Sequence, residues 1–382
     1  KYKKKIKYYK HHLNHLTSCY YPSNFKKALV VSYDGVGEGE TGYFSIGNKN
    51  KIKVIHKNNL FPNSLGLLYA AITSYLGWRY SYDEGIIMGL ASYGNPNSKL
   101  PNNKKTYIQV FREIIGYKNN LDINIDTDWI TFHKERDTWI SEKFIKVFGK
   151  KRKYENKLTQ HHKNIAAALQ LRLEEIVLHQ LNFLKKKYKL SKLCLAGGVA
   201  LNCSMNGKIV KSKIFDEIFV QPASGDAGLA IGAAINCSLE YQPKKKLIFE
   251  TNCYLGSRYS NLEIKKVINK FKNRVKIVNN KDIYDFASNV LIQKKVIGWF
   301  QGAAEFGPRA LGNRSILAAP NPTNIKDHIN KNVKFRENFR PFAPAVLKEF
   351  ASEYFNIDQK SEYMLIAFDV KHKMKKHVSA TV

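Results

Sequence analysis

Two sets of side chains in this chain have the types and spacing for chemistry. The first is cationic. The stretch Gly298 to Leu317 reads GWFQGAAEFGPRALGNRSIL, and KFRENFR follows at 334–340. Arg309, Arg314, Lys334, Arg336 and Arg340 thus fall within a short span, two of them set among glycines and beside Pro308. Glycine lets a backbone approach a ligand closely, and proline stiffens that approach. Such a cluster suits a small dianion and a triphosphate, because guanidinium groups bind phosphate and carboxylate oxygens in pairs. A basic surface turn after a buried strand has the same composition.

The second set offers nitrogen and oxygen. His11 and His15 in HHLNHLTSCY are one helical turn apart, so a helix over 11–20 puts both on one face and sends His12 elsewhere. Two half-exposed histidines would read identically. Asp34 ends the apolar run ALVVSYDGVGE, followed by Gly35 and Gly37, which allow backbone N–H groups to turn toward an anion. An ordinary β-turn also favours aspartate there. Asp226 lies in SGDAG, at or near the start of a helix beginning around Ala227, where aspartate also serves as an N-cap. Together His11, His15, Asp34 and Asp226 would give an N/O site suited to Fe(II), Mn or Zn.

The elements that must position these groups follow from periodicity. Residues 28–38 read as a buried strand and 41–48 as its returning partner. Residues 64–94 read as helical, closing in MGLASYG, and 95–160 as an irregular, Lys/Asn-rich inserted surface segment. Apolar residues at 165, 169, 173, 176, 177, 181 and 184 predict a long amphipathic helix. LCLAGGVALN (193–202) then reads as strand, Gly-Gly turn and helix start, and 217–236 repeats that pattern. Such a turn lets a helix N-terminus face a nucleotide, although it matches neither GxGxxG nor a P-loop. YQPKKK at 241–246 marks a linker. Beyond it we expect helices near 261–271 and 283–292, a strand at Val275–Val278, and a strand at Val296–Phe300 opening the arginine loop.

Composition bounds the rest. With 382 residues and 44% hydrophobic content, two cored domains are expected. No apolar run reaches the length needed to span a bilayer, which points to a soluble, cytoplasmic protein. Five cysteines without a CxxC pair argue against a disulfide framework or zinc ribbon, and Cys194 and Cys203 read as packing residues. The formal charge of +32 taken alone suggests nucleic acid. Its lysines are scattered among Asn, Ile and Tyr without aromatic–basic strips, which argues against that partner. A positive field would still steer an anionic substrate.

The arginine stretch resembles the signature of the NodU/CmcH-type O-carbamoyltransferases. The resemblance extends through HHLNH (11–15), DGVGE (34–38), SLGLLY (64–69), MGLASYG (88–94), AGGVALN (196–202), SGDAG (224–228) and NVKFRENFRPFAPAVL (332–347), in the family's order. It implies an α/β chain with an actin-like ATPase (ASKHA, TsaD-like) domain over 1–243. A partial YrdC-like α/β domain would follow over 254–382, with sequence missing at both ends. It implies metal, Fe(II) foremost, on His11, His15, Asp34 and Asp226. ATP would lie against Gly35, Gly37, Gly197, Gly198, Asn202 and Gly225. Arg309, Arg314, Lys334, Arg336 and Arg340 would act catalytically on carbamoyl phosphate and ATP. The implied reaction passes a carbamoyl group through carbamoyl adenylate to a hydroxyl of a small molecule or saccharide. A homodimer is compatible with the resemblance, and no membrane is involved. Ala303, Ala319 and Asn321 depart from the family pattern and weaken one phosphate contact. Two other readings stay open: a tRNA threonylcarbamoyladenosine-type transferase, and a non-catalytic binding protein.

Overall fold

The computed structural model describes residues 6–101, 103–243, 249, 252–278, 282–321 and 323–382. It divides into two units, Lys1–Thr251 with Leu365–Ala367, and Asn252–Met364 with Phe368–Val382.

The first unit runs α1 (His11–Tyr20), β1 (Lys27–Gly37), β2 (Glu40–Asn48), β3 (Lys51–Leu60), α2 (Leu65–Tyr75), α3 (Glu84–Ala91), α4 (Tyr107–Ile114), β4 (Ile115–Tyr117), β5 (Ile123–Ile125), α5 (Glu142–Phe148), α6 (Gln160–Tyr188), β6 (Lys192–Ala196), α7 (Cys203–Lys211), β7 (Glu217–Val220) and α8 (Leu229–Tyr241). Its main sheet is mixed, in the order β3-β2-β1-β6-β7. The first three strands are antiparallel neighbours, whereas β1 pairs with β6 and β6 with β7 in parallel. Strand β1 is therefore central and covered on both faces, which is why its sequence is an unbroken apolar run. Ala28 and Val30 pack with Leu16, Cys19 and Tyr20 of α1 and with Cys194 and Ala196 of β6. Successive side chains alternate, so Tyr33 points the other way, and its hydroxyl donates to Gln180 Oε1 of α6 at 2.9 Å. Asp34, one residue later, emerges on the α1 side at the strand's end.

The helical stretch 64–94 is made of two helices. Helix α2 ends at Tyr75, and the chain turns through Gly77 at φ +92° before α3 begins. The segment 95–160 is not a surface insertion. Phe111, Trp129, Phe144 and Phe148 are buried in it, Phe144 and Phe148 stack with ring centroids 4.4 Å apart, and Tyr75 meets Phe144 edge-on at 4.9 Å. This satellite core is built from short elements separated by Lys/Asn turns, so no long apolar period shows it. Residues 241–243 of the expected linker follow on from α8, and Lys244–Lys246 lie outside the described residues.

The second unit contains α9 (Asn261–Lys270), α10 (Ile283–Ile292), β8 (Ile297–Phe300), β9 (Arg314–Leu317) and α11 (Asn324–His328). Ser260 and Glu263 form a capping box on α9, and Asp282 Oδ1 accepts from the Tyr284 and Asp285 amides to start α10. Strands β8 and β9 pair antiparallel, with Phe300 opposite Arg314. Val275–Val278 forms no strand, contrary to expectation. A short run such as VKIV reads the same in sequence whether or not an edge is free to pair with it, and β8 takes β9 as its neighbour. Among the described residues no helix is long and apolar enough to cross a membrane.

Candidate functional site

Helix α1 and strand β1 meet where their polar residues coincide. His11 and His15, one turn apart, aim their Nε2 atoms at the end of β1. Asp34 Oδ2 lies 2.7 Å from His11 Nε2 and 3.3 Å from His15 Nε2, and the two ring nitrogens are 3.1 Å apart. Asp226 Oδ1 completes the group at 3.7 Å from each histidine. One ligand atom from each of the four residues lies within 4.8 Å of all the others. Asp226 begins a short 3₁₀ turn, and α8 takes Gly228 as its N-cap. Its side chain is 75% exposed, so it forms the open wall of the group.

The surroundings fix this geometry. Gly198 N–H donates to Asp34 Oδ1 at 2.9 Å, which leaves Oδ2 for the histidines. Gly197 makes that possible: its φ is +87°, and a Cβ there would sit 2.1 Å from Tyr33 O. Ser64 Oγ donates to Asp34 O and Gly35 O, tying the start of α2 to the same strand end. Gly37 packs on the His11 ring, where a Cβ would come within 2.3 Å of Cδ2. Burial pushes the Asp34 carboxyl up, but its bonds to His11, His15 and the Gly198 amide prevail and hold it well below the usual carboxylate range. The Asp34 hydrogen bond holds the His11 imidazole above its ordinary value, against the effect of burial. His12 is occupied elsewhere. Its Nε2 lies 2.9 Å from Glu40 O and its Nδ1 3.2 Å from Ser32 Oγ, and burial lowers its pKa.

These residues fit a divalent metal. His15 is fully buried and its Nδ1 has no hydrogen-bond partner among the described residues, so the ring's polar engagement is with the group itself. Bonds of about 2.0–2.1 Å to a shared tetrahedral ion place ligand atoms about 3.3 Å apart, and the separations made by the two histidines, 2.7 to 3.7 Å, bracket that value, with all four atoms inside 4.8 Å. Two imidazoles and two carboxylates suit Fe(II), Mn(II) or Zn(II).

The other expected site residues fall in two places. Gly35 and Gly37 follow Asp34 on β1, Gly198 meets its carboxylate, and Gly197 lies against Tyr33 beside it. Asn202 caps α7 by accepting from the Met205 amide at 2.9 Å, and it exchanges hydrogen bonds with Gln170. Gly225 immediately precedes Asp226.

The cations belong to the second unit. There the loop after β8 is closed by Glu305, a buried carboxylate that sequence reasoning missed. Its Oε1 accepts from the Leu311 and Asn313 amides at 2.6 and 2.8 Å, and its Oε2 from Arg314 Nε at 3.0 Å. Arg314 Nη2 also donates to Gly307 O at 2.5 Å. Arg314 thus holds the loop's shape, while Arg309 Nε is buried without a partner among the described residues. Lys334, Arg336 and Arg340 form a further group organised by Asn330, which is fully buried. Asn330 Oδ1 accepts from Arg336 Nε at 2.7 Å, and its Nδ2 donates to Arg340 O at 3.0 Å. The Arg336 guanidinium also lies 4.9 Å over the Phe342 ring. Burial and the neighbouring Arg340 bring Arg336 down to about 10, and burial with Arg336 and Arg340 lowers Lys334. Cations crowded enough to depress one another favour an anion between them. Glu305 is marked in the sequence only as the one polar residue in AAEFG, and Asn330, within the polar run HINKN, is not marked at all. Asn330→Ala should cost about 1–3 kcal/mol by leaving Arg336 and two carbonyls unpaired. That would register as a drop in the second unit's melting temperature.

Two family models match most of the chain. Residues 1–235 match the family model for the carbamoyltransferase N-terminus, and 288–382 match that for the carbamoyltransferase C-terminus. The nodulation protein NolO of Bradyrhizobium diazoefficiens is 39% identical over 353 residues, covering 91% of this chain and 60% of that protein. The nodulation protein NolNO of Sinorhizobium fredii is 37% identical over 376 residues, covering 96% of this chain and 51% of that protein. The chain therefore spans between half and three-fifths of the length of these relatives. A crystal structure of full-length HypF in the phosphate- and nucleotide-bound form is 16% identical over 61% of this chain and 43% of that one, with a TM-score of 0.32, a level that carries no argument.

Proposed function

The chain belongs to the carbamoyltransferase family, and from that premise we propose that it acts in ATP-dependent transfer of a carbamoyl group to a hydroxyl of a small molecule or saccharide. The observation that carries this reading is the convergence of His11, His15, Asp34 and Asp226 at the end of β1. The cation groups of the second unit support its other half.

In this reading the second unit, the YrdC-like part of the chain, binds carbamoyl phosphate and ATP. Arg309, whose Nε makes no hydrogen bond among the described residues, donates to phosphate oxygens, and Lys334, Arg336 and Arg340 neutralise the remaining charge. Arg314 and Glu305 keep the glycine loop open to the ligand. Water cleaves carbamoyl phosphate there to carbamate and phosphate, and a carbamate oxygen then attacks the α-phosphorus of ATP, displacing pyrophosphate and giving carbamoyl adenylate. The first unit is the actin-like part, a reading supported by its antiparallel β1–β3 meander continued by parallel β6 and β7. Its Gly197-Gly198 turn and Asn202 hold the nucleotide portion of the adenylate. His11, His15, Asp34 and Asp226 hold a divalent metal, Fe(II) by resemblance, which when bound supplies Lewis-acid polarisation of a carbonyl oxygen. Asp34, fixed by Gly198 and kept ionised, orients both imidazoles. The acceptor hydroxyl attacks the carbamoyl carbon and AMP leaves.

Metal analysis tests the carrying observation. The protein should bind one divalent ion per chain, and His15→Ala should reduce that to below about a tenth, because a buried ligand is lost without a replacement. Equal metal content in both proteins would contradict the assignment. The charge of +32 favours one second reading, transfer to tRNA. That reading requires a tRNA gel shift persisting at physiological salt, whereas small-molecule transfer predicts none.

A further inference from the structure

The hairpin between β1 and β2 turns through two residues, Glu38 and Gly39, with Gly37 paired to Glu40. Both have positive φ, +56° and +84°. This is the signature of a type I′ turn, whose first position favours Asn, Asp or Gly. Glutamate there is strained, and no strand-pairing requirement explains it.

Its carboxylate has a partner on another element. Helix α1 carries both histidines, yet its N-cap residue is Lys10, which makes no side-chain cap, and its first turn contains no acidic residue. The His11 amide donates instead to Glu38 Oε1, at 3.4 Å. A carboxylate on an N-terminal amide satisfies an orphan donor and sits favourably at the positive end of the helix. Gly37, next in the chain, lies directly against the His11 ring. The hairpin tip therefore grips the start of α1 twice, once through its backbone amide and once against its imidazole.

We propose that Glu38 is a positioning residue, a helix cap supplied from the hairpin that fixes the first turn of α1 and thereby aims His11 Nε2 at Asp34. It touches neither metal nor substrate. The consequence for metal rests on the ligand assignment above, whereas the capping does not.

Glu38→Gly separates this role from a plain turn role, because glycine relieves the strain while removing the cap. Hydrogen exchange on the metal-free protein should show the first-turn amides of α1 exchanging about three- to tenfold faster in Glu38→Gly. The melting temperature should be equal or higher. Glu38→Gln, which keeps an acceptor oxygen, should stay within about twofold of the parent in exchange. Cobalt(II) titrated against a chelator should bind about five- to tenfold more weakly to Glu38→Gly, with Glu38→Gln between it and the parent. Unchanged α1 exchange in Glu38→Gly, or a uniform rise across the unit with a lower melting temperature, would overturn the proposal. Faster exchange confined to α1 in a protein that binds no cobalt would uphold the cap and refute the ligand assignment instead.

Discussion

His11→Ala is expected to lower carbamoyl transfer to an acceptor hydroxyl by at least about 10²–10³-fold, while pyrophosphate exchange into ATP stays within about twofold. The size follows from the loss of a preorganised electrostatic element at a reacting carbonyl. His11 Nε2 lies 2.7 Å from Asp34, 3.1 Å from His15 and 3.7 Å from Asp226, the shortest approach to Asp34 in the group. It belongs to the first unit, and the cations assigned to adenylate formation belong to the second. A variant that loses exchange and transfer equally would break the division of labour between the two units. His12→Ala is the internal comparison. That ring packs edge-on against His11 but commits both its nitrogens to Ser32 and Glu40, so its loss should cost stability and leave metal content intact.

Arg309→Ala is expected to have the complementary effect, abolishing carbamoyl-phosphate-dependent exchange by about 10²-fold or more without lowering the melting temperature. Arg309 Nε is buried and unpartnered among the described residues, so removing the side chain breaks no hydrogen bond made by that atom there. Arg309→Lys should rescue little, because a point charge cannot reproduce a planar two-pronged contact. Arg314→Ala, by contrast, should lose activity and stability together. Its guanidinium is bonded to Glu305, and its removal leaves a buried carboxylate without its cation. An Arg309→Ala protein with normal exchange would remove Arg309 from the anion site.

Much of the candidate site was legible because it depends on local spacing. A one-turn separation puts His11 and His15 on one face wherever the helix goes, and an apolar run broken by Asp34-Gly35 marks the end of a buried strand. Gly197-Gly198 was legible as a turn, but its purpose, presenting an amide to Asp34 Oδ1, depends on the parallel pairing of β1 with β6. Long-range partners left no such trace. Glu305, Asn330 and Glu38 act through backbone amides and carbonyls, groups every residue carries, so nothing in the sequence names their targets. Arg314 was readable as a cation but not as one already committed to Glu305. The satellite core around Phe144 and Phe148 escaped for a related reason: its aromatic residues are contributed by several short elements.

The most direct measurement is exchange of labelled pyrophosphate into ATP by the purified protein, with and without carbamoyl phosphate. The account predicts exchange that requires carbamoyl phosphate and disappears in Arg309→Ala. Exchange that instead requires bicarbonate and threonine, or no exchange under either condition, would contradict it.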